Sequence, residues 1–233
     1  GPVPIDPLFL AYLPAALQWN PSLFWGSVLL LITLASSMPW ILARKALKPV
    51  EVDLALCDGC VLCSRDCPYN AITMVPRSDG ARPKFQAEIN QSLCISCGIC
   101  IGSCPENALT LGMPIDPLWT QTTQSAESAN LVFTCERHLL QGTLEKDPNL
   151  KVVPLTCVGM LHPDLIGAAI DAGADSVRVV GCPPEDCANR EGNLWLQQRL
   201  DRDRLPRLRI GYTQAPITSR WAAPGDSQSD YSF

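Results

Sequence analysis

Three hydrophobic rhythms divide the chain. The first is a continuous apolar run: no Asp, Glu, Lys or Arg stands between Asp6 and Arg44, and the most apolar part covers residues 23–43. As a helix those residues rise about 31 Å, enough to cross the hydrocarbon of a bilayer. Asn20-Pro21-Ser22 supplies a helix start with Pro in the first turn. Trp19 and Trp25 stand at one end and Trp40 at the other, the placement of interfacial aromatics. The charges Arg44, Lys45 and Lys48 follow the run instead of preceding it, the reverse of a secretory leader. The pattern predicts a membrane anchor over residues 1–48. Its transmembrane helix covers about residues 22–43, after an apolar interfacial segment broken by Pro14. By the positive-inside rule the chain crosses a bacterial-type inner membrane once, and everything after Arg44 lies on the cytoplasmic side.

The third rhythm begins at Leu131. Short apolar runs at residues 131–134, 151–156 and 176–180 alternate with helical stretches at residues 163–172 and 191–203. Leu208 to Ile210 reads as a last short strand. Strands alternating with helices predict a small parallel α/β domain over residues 131–212. Residues 113–130 are rich in Pro, Ser, Thr and Gln and read as a linker; residues 213–233 lack periodicity and read as a tail.

Between anchor and linker, over residues 50–112, lies a duplicated segment. Val52-DLALCDGCVLCSRDCPYNAIT-Met74 is repeated 37 positions later as Ile89-NQSLCISCGICIGSCPENALT-Leu111. Each copy contains C-x2-C-x2-C-x3-C-P, the spacing of bacterial-type iron–sulfur ligation. Three cysteines at two-residue gaps wrap a loop around one corner of a cubane cluster, and the fourth is carried away on the following turn. This predicts one 4Fe-4S cluster on Cys57, Cys60, Cys63 and Cys104, and a second on Cys94, Cys97, Cys100 and Cys67. Pro68 and Pro105 fix the chain direction after each crossing cysteine, and Gly59 and Gly98 let the backbone approach the cluster. Zinc ribbons use pairs of C-x2-C with long gaps, not triplets. The segment resembles the two-cluster bacterial ferredoxin family, which implies an α+β domain that carries single electrons.

The four remaining cysteines sit where strands end. Cys135 follows the first strand of the α/β domain, Cys157 the second, and Cys182 and Cys187 the third. Ligands of open parallel sheets bind at those ends. Four thiolates there suit a 2Fe-2S cluster; the alternative is four buried free thiols that serve packing. Thr156-Cys157-Val-Gly, Gly173-Ala-Asp175, Gly181-Cys182-x4-Cys187 and Gly192-Asn193 resemble the delta-subunit family of methyl-viologen-reducing hydrogenases. That resemblance implies a 2Fe-2S cluster and electron relay among hydrogenase, heterodisulfide reductase and flavoprotein partners. Where the family has C-x2-C at the first strand end, this chain has Cys135-Glu-Arg-His138, which makes His138 an alternative ligand. The family's two later histidines are Pro183 and Ala188 here. His162, just before Pro163, reads as a structural residue at a helix start, and Glu185-Asp186 as a solvated loop.

Composition narrows the function classes. A net charge of −5 argues against nucleic acid as a partner. Twelve cysteines in 233 residues are too many for ordinary packing and too dilute for a disulfide scaffold. No G-x-G-x-x-G, Walker loop or H-E-x-x-H is present. The expectation is a multidomain α/β and α+β chain behind one transmembrane helix. It acts as the electron-transfer subunit of a hetero-oligomeric respiratory or photosynthetic complex, with no catalytic residues of its own. It relays electrons between a membrane cytochrome b or quinone partner and a cytoplasmic carrier or flavoprotein. The N-terminal stretch is similar to the last part of cytochrome b, although that family's Pro-Glu-Trp motif is absent. The other readings are a redox-sensing regulatory module and a nucleotide- or flavin-binding oxidoreductase subunit.

Overall fold

The computed structural model describes residues 20–41, 48–78, 80, 83–111, 115–127, 129–138 and 150–223. The interfacial segment before Asn20, the charges Arg44 and Lys45, and the end of the tail lie outside them. The chain divides into two compact units, residues 1–46 and 47–233.

The first unit contains helix α1, Pro21–Ile41, where the apolar run predicts one. It starts at the expected Asn20-Pro21 signal, with the Leu23 and Phe24 amides donating to the Asn20 carbonyl. Leu23, Trp25, Leu29, Leu30, Leu31, Ile32, Leu34 and Met38 are all exposed. Its hydroxyls turn inward on the helix. Ser27, Thr33, Ser36 and Ser37 donate to the carbonyls of Phe24, Leu29, Ile32 and Leu34 at 2.7–2.9 Å. Among the described residues no helix is long and apolar enough to cross a membrane. The expected span over residues 22–43 runs on into residues outside the described set.

The second unit begins with the two repeats. The first repeat holds strand β1 (Glu51–Val52), helix α2 (Leu62–Arg65) and strand β2 (Ile72–Pro76). The second holds β3 (Phe85–Ile89), α3 (Ile99–Gly102) and β4 (Leu109–Thr110). Pairing is reciprocal: β1 pairs with β4 through Val52 and Leu109, and β2 with β3 through Ile72 and Ile89. Each repeat therefore opens on a strand that the other repeat closes. Asp53 and Asn90, at equivalent positions, cap the first turns by accepting from the amides of Ala55 and Ser92. Between the two small sheets lies a core of Val50, Ile72, Ala87, Ile101, Ala108 and Leu109 with several of the cysteines.

Helix α4, Ile115–Ala126, comes next, within the stretch whose composition reads as a linker. Its Trp119, Thr122 and Ala126 fall on one helical face; Thr122 and Ala126 are buried, and Trp119 and Ala126 pack on the α/β core. Composition hides this because the face is built from one Trp and small residues. The sheet then follows with β5 (Asn130–Cys135), β6 (Leu150–Leu155), helix α5 (Pro163–Asp171), β7 (Ser176–Gly181), helix α6 (Gly192–Leu200) and β8 (Ile217–Trp221). All pairings are parallel, in the spatial order β6-β5-β7-β8. Numbered by their order in this domain, that is 2-1-3-4, the doubly wound arrangement whose strand order switches direction beside its first strand. Leu131, Phe133, Val153, Leu155, Leu165, Ile166, Val177, Val179 and Leu196 form its core.

Two expectations are corrected here. Leu208 to Ile210 is not a strand: Leu208 is buried in the core, and Ile210–Tyr212 is a 3-10 turn. The last strand is β8, inside the expected tail. Its Ile217-Thr-Ser-Arg-Trp pattern is mostly polar because it is an edge strand. Trp221 pins it, donating from Nε1 to Gln197 Oε1 at 3.0 Å and lying against Gly181.

The repeats and the sheet are bolted together by one buried guanidinium. Arg199 has no exposed surface. It donates to the Gly159 carbonyl at 2.9 Å, to Asp66 Oδ2 at 2.7 Å and to Ser103 Oγ at 2.6 Å. Arg204 donates to the other Asp66 oxygen at 2.6 Å and lies 4.4 Å over the Trp195 ring. Burial works against ionisation of Asp66, but the bonds from Arg204, Ser103 and Arg199 outweigh it and hold the carboxyl below its usual range. Asp66→Ala strands the Arg199 charge and should lower the unfolding free energy by about 3–5 kcal/mol, whereas Arg204→Ala, at a partly exposed residue, should cost about 1 kcal/mol. Urea unfolding of both variants beside the wild type checks the ranking; equal losses would mean that Arg199 is not the anchor.

Candidate metal centres

The two ferredoxin-type sites grow out of the reciprocal strand pairing. One cavity is lined by Cys57, Cys60, Cys63 and Cys104 with Val52, Met74, Ala87 and Leu109. The other is lined by Cys67, Cys94, Cys97 and Cys100 with Val50, Ile72, Ile89 and Ile99. The fourth cysteine of each repeat thus stands in the cavity of the other repeat's triplet, as the spacing predicts. The backbone is prepared in the same way twice. Ala71 donates to Cys67 Sγ and Ala108 to Cys104 Sγ, both at 3.3 Å. Such amide bonds favour charged sulfur over the neutral thiol.

The two loops reach the same backbone shape with different residues. Left-handed φ angles occur at Gly59, Val61 and Asn70 in the first repeat and at the equivalent Ser96, Gly98 and Asn107 in the second. Gly59 and Gly98, expected to act alike, therefore occupy different positions, and Val61 and Ser96 take the strained conformation without glycine.

Burial raises the thiols of Cys60, Cys63, Cys97, Cys100 and Cys104. Burial, then the neighbouring Cys104, Cys60 and Cys57, push the Cys63 thiol up to about 12. Burial pushes Cys60 up to about 11, and it raises Cys100 well above the ordinary value, with Cys97, Cys63, Cys67 and Cys94 adding to it. Four sulfurs around one cavity make a donor set for a bound cation, which takes the place of thiol protons when it binds. The residues fit two cubane clusters.

The last four cysteines converge at the carboxyl ends of the parallel strands, beside the switch in strand order. Cys135 closes β5, Cys157 caps the turn Val158–Met160 after β6, Cys182 follows β7, and Cys187 lies in the next loop. Their sulfurs influence one another: the contacts among the four lower Cys135 and Cys187 below the usual thiol range and raise Cys157 and Cys182 above it. Backbone amides add to this: Val158 donates to Cys135 Sγ at 3.3 Å and Gly159 to Cys157 Sγ at 3.4 Å. Cys135, Cys157 and Cys182 are buried, and the Cys187 loop is folded back by the Arg190 amide donating to the Cys187 carbonyl. Gly192 is required here, because a Cβ would come within 2.5 Å of Cys157 Sγ. The donor set fits a four-sulfur iron site.

His138 is buried next to this set. Cys135 Sγ, Cys182 Sγ and a His138 ring nitrogen lie within 4.8 Å of one another. Its Nε2 bonds the Ala222 carbonyl at 2.9 Å, and its hydrogen bond with Cys135 raises its pKa. His162 is the structural residue that its position predicts: its Nδ1 accepts from the Asp164 amide at the start of α5, and burial lowers its pKa to about 4. Glu185 and Asp186 are exposed.

Several contributors carry no motif. Tyr69, Ile99 and Trp195 pack between Cys97 and Cys157. Asn193 uses its amide to tie the carbonyls of Cys182 and Pro183 at 2.9 and 2.8 Å. Gly192-Asn193 stands among the sequence signals, but its role does not; Arg199 and Asp66 gave no signal beyond ordinary surface charge.

Residues 132–228 match the family model described as methyl-viologen-reducing hydrogenase, delta subunit. Residues 56–108 match that of the 4Fe-4S dicluster domain. The chain is 34% identical over 59 residues to the vhc iron-sulfur subunit of the F420-non-reducing hydrogenase of Methanococcus voltae, across 25% of this chain and 41% of the relative. It is 46% identical over 46 residues to an iron-sulfur subunit of the F420-non-reducing hydrogenase of Archaeoglobus profundus, across 20% of this chain and 34% of the relative. The chain thus spans less than half the length of these curated relatives. It carries a 4Fe-4S dicluster domain and, after it, a domain of the hydrogenase delta-subunit type. Neither family match extends into residues 1–55.

The crossed arrangement makes a directional prediction. Cys104→Ser should remove the cluster on Cys57, Cys60 and Cys63 and leave the one on Cys94, Cys97 and Cys100. EPR of the reduced variant, against a parallel Cys67→Ser variant that loses the other cluster, checks this. Loss of the Cys94 set in Cys104→Ser would refute the crossing.

Proposed function

We propose that this chain is a membrane-anchored iron–sulfur subunit that relays single electrons within a hetero-oligomeric redox complex of the hydrogenase type. The observation that carries the reading is the gathering of all twelve cysteines into three sets of four within one compact unit, two lining cavities and one at the carboxyl ends of the parallel strands. Fully cysteine-ligated clusters supply one-electron transfer when bound and leave no ligand position for a substrate. The protein's part is to hold the sulfurs, exclude water from them and set their charge environment.

The ligand sets are Cys57, Cys60, Cys63 and Cys104 for one 4Fe-4S cluster, and Cys67, Cys94, Cys97 and Cys100 for the second. Cys135, Cys157, Cys182 and Cys187 hold a 2Fe-2S cluster, with His138 bonded to Cys135 as a neighbour rather than a ligand. The placement of the four cysteines at the carboxyl ends of β5, β6 and β7 supports this assignment, and the His138 Nε2 is already engaged by the Ala222 carbonyl. The working division is an anchor over residues 1–48, a two-cluster domain over 50–112 and a third domain from α4 through β8.

Membrane attachment is supported by α1, whose apolar side chains are exposed and whose hydroxyls bond back to its own carbonyls. A helix satisfied in this way presents few unpaired polar groups to lipid. The apolar run of the sequence continues past the helix to Ala43, and Lys/Arg begin at Arg44. A cytochrome b-like membrane partner and a soluble electron carrier or flavoprotein would stand at the two ends of the relay. The hydrogenase subunits named among the relatives support the assembly into a complex.

Iron per chain, measured with EPR on stepwise-reduced protein purified anaerobically in detergent, tests the relay. About 10 iron atoms (4+4+2) are expected, with a 2Fe-2S signal that Cys182→Ser abolishes. About 8, with 4Fe-4S signals alone, would make the third set structural. Flotation with liposomes tests the anchor separately: the full chain should rise with the vesicles and a variant lacking residues 21–41 should not. Flotation of that variant would remove α1 as the anchor.

A further inference from the structure

The three sulfur sets are not equivalent in their contacts. Cys97, Ile99, Cys157 and Trp195 form one buried apolar cluster, with Tyr69 packed against it. Cys97 belongs to the Cys67 set and Cys157 to the strand-end set. Ile99 is wedged at the boundary: a Cβ on Gly159 would lie 3.0 Å from it, and a Cβ on Gly192 would lie 3.3 Å from Ile99 and 2.5 Å from Cys157 Sγ. Arg190 stacks 4.7 Å over the Tyr69 ring and donates to the Pro68 carbonyl at 2.6 Å, closing the junction from outside.

The Cys57 set makes no such contact among the described residues. Cys57, Cys63 and Cys104 pack in the core between the two small sheets, and no cysteine of the set belongs to the cluster that holds Cys157. It faces the other way. Cys60 is exposed, and Leu54, Leu56, Val61 and Phe85 around its loop are exposed as well. In the second repeat Leu93 and Ile95 are exposed as well, but Cys97, the counterpart of Cys60, is buried with Gly98 and Ile99 beside Met160 and the turn Val158–Met160. Two repeats of one sequence pattern thus have different neighbours because the α/β domain covers only one of them.

We propose that the relay inside this chain is linear and has a fixed order. The strand-end set (Cys135, Cys157, Cys182, Cys187) exchanges electrons with the Cys67 set through the Ile99, Tyr69 and Trp195 junction. The Cys67 set exchanges with the Cys57 set, which is the terminus facing solvent at Cys60. Each transfer moves one electron: the iron held by one set is oxidised by one equivalent and that held by its neighbour is reduced by one. No bond forms or breaks and no proton moves. This ordering rests on the proposed function, since it needs iron in all three sets.

Magnetic coupling tests the order without a turnover assay. In the full chain, purified anaerobically and reduced with dithionite, neighbouring reduced clusters speed one another's spin relaxation. Power saturation of the strand-end signal should be fast in the wild type and remain fast in Cys104→Ser, which lacks the Cys57 set. It should turn slow in Cys67→Ser, which lacks the middle set. Slow relaxation in Cys104→Ser with fast relaxation in Cys67→Ser would overturn the order. Cys94→Ala and Cys57→Ala repeat the comparison at ligands away from the crossing, in case a crossing variant does not fold. A wild type with about 8 iron atoms and no strand-end signal would overturn the three-cluster reading itself, and the order with it. Iron content separates that outcome from a wrong order.

Discussion

The second unit depends on one buried positive charge. The guanidinium of Arg199 has no water to hydrate it, and a charge so placed is tolerated only where fixed acceptors surround it. Those acceptors come from three places: the Gly159 carbonyl beside the strand-end cysteines, Asp66 at the end of α2 and Ser103 at the end of α3. Asp66 and Ser103 occupy equivalent positions of the two repeats, 37 residues apart. Arg199 thus bonds both halves of the duplicated domain and the sheet domain at once. A change in the seating of either domain would break a charge-assisted bond in low dielectric, so the relative placement of the sulfur sets is held more firmly than apolar packing alone would hold it.

Duplication and its breaking explain much of the remainder. The repeats pair their strands reciprocally, which carries the fourth cysteine of each into the other's cavity. Left-handed residues at matching positions and amide-to-sulfur bonds at Ala71 and Ala108 show how closely the halves follow one plan. The α/β domain then covers the second loop at Cys97, Gly98 and Ile99 and leaves the counterpart Cys60 exposed. That asymmetry turns two similar sites into an inner and an outer one.

The sheet places the remaining cysteines by the general logic of doubly wound folds. The order β6-β5-β7-β8 switches direction beside β5, and Cys135, Cys157 and Cys182 stand at the carboxyl ends of the three strands around that switch. Gly192 at the start of α6 is small enough to admit Cys157 Sγ, and Asn193 holds the carbonyls of the β7 exit. Helix α1 belongs to a separate unit and follows different physics. It has almost no polar side chain to give up to water, and the hydroxyls of Ser27, Thr33, Ser36 and Ser37 are already bonded within the helix.

The sequence by itself determined the local features whose cause is local. The C-x2-C-x2-C-x3-C-P spacing dictates a loop and a departing fourth cysteine; the apolar run from Leu23 dictates a helix; and the β-branched runs ending at Cys135, Leu155 and Gly181 dictate strands. Tertiary structure decided what depends on residues far apart in the chain. Residues 115–126 are polar enough to read as a linker, and only the core beneath Trp119 and Ala126 makes them a helix that packs. Residues 217–221 carry too few apolar positions to announce a strand, and become one because β7 offers an open edge. Arg199 and Asp66 look like surface charges in the sequence. They are buried because they meet across 133 positions, and a charge can be buried only where its partner is already waiting.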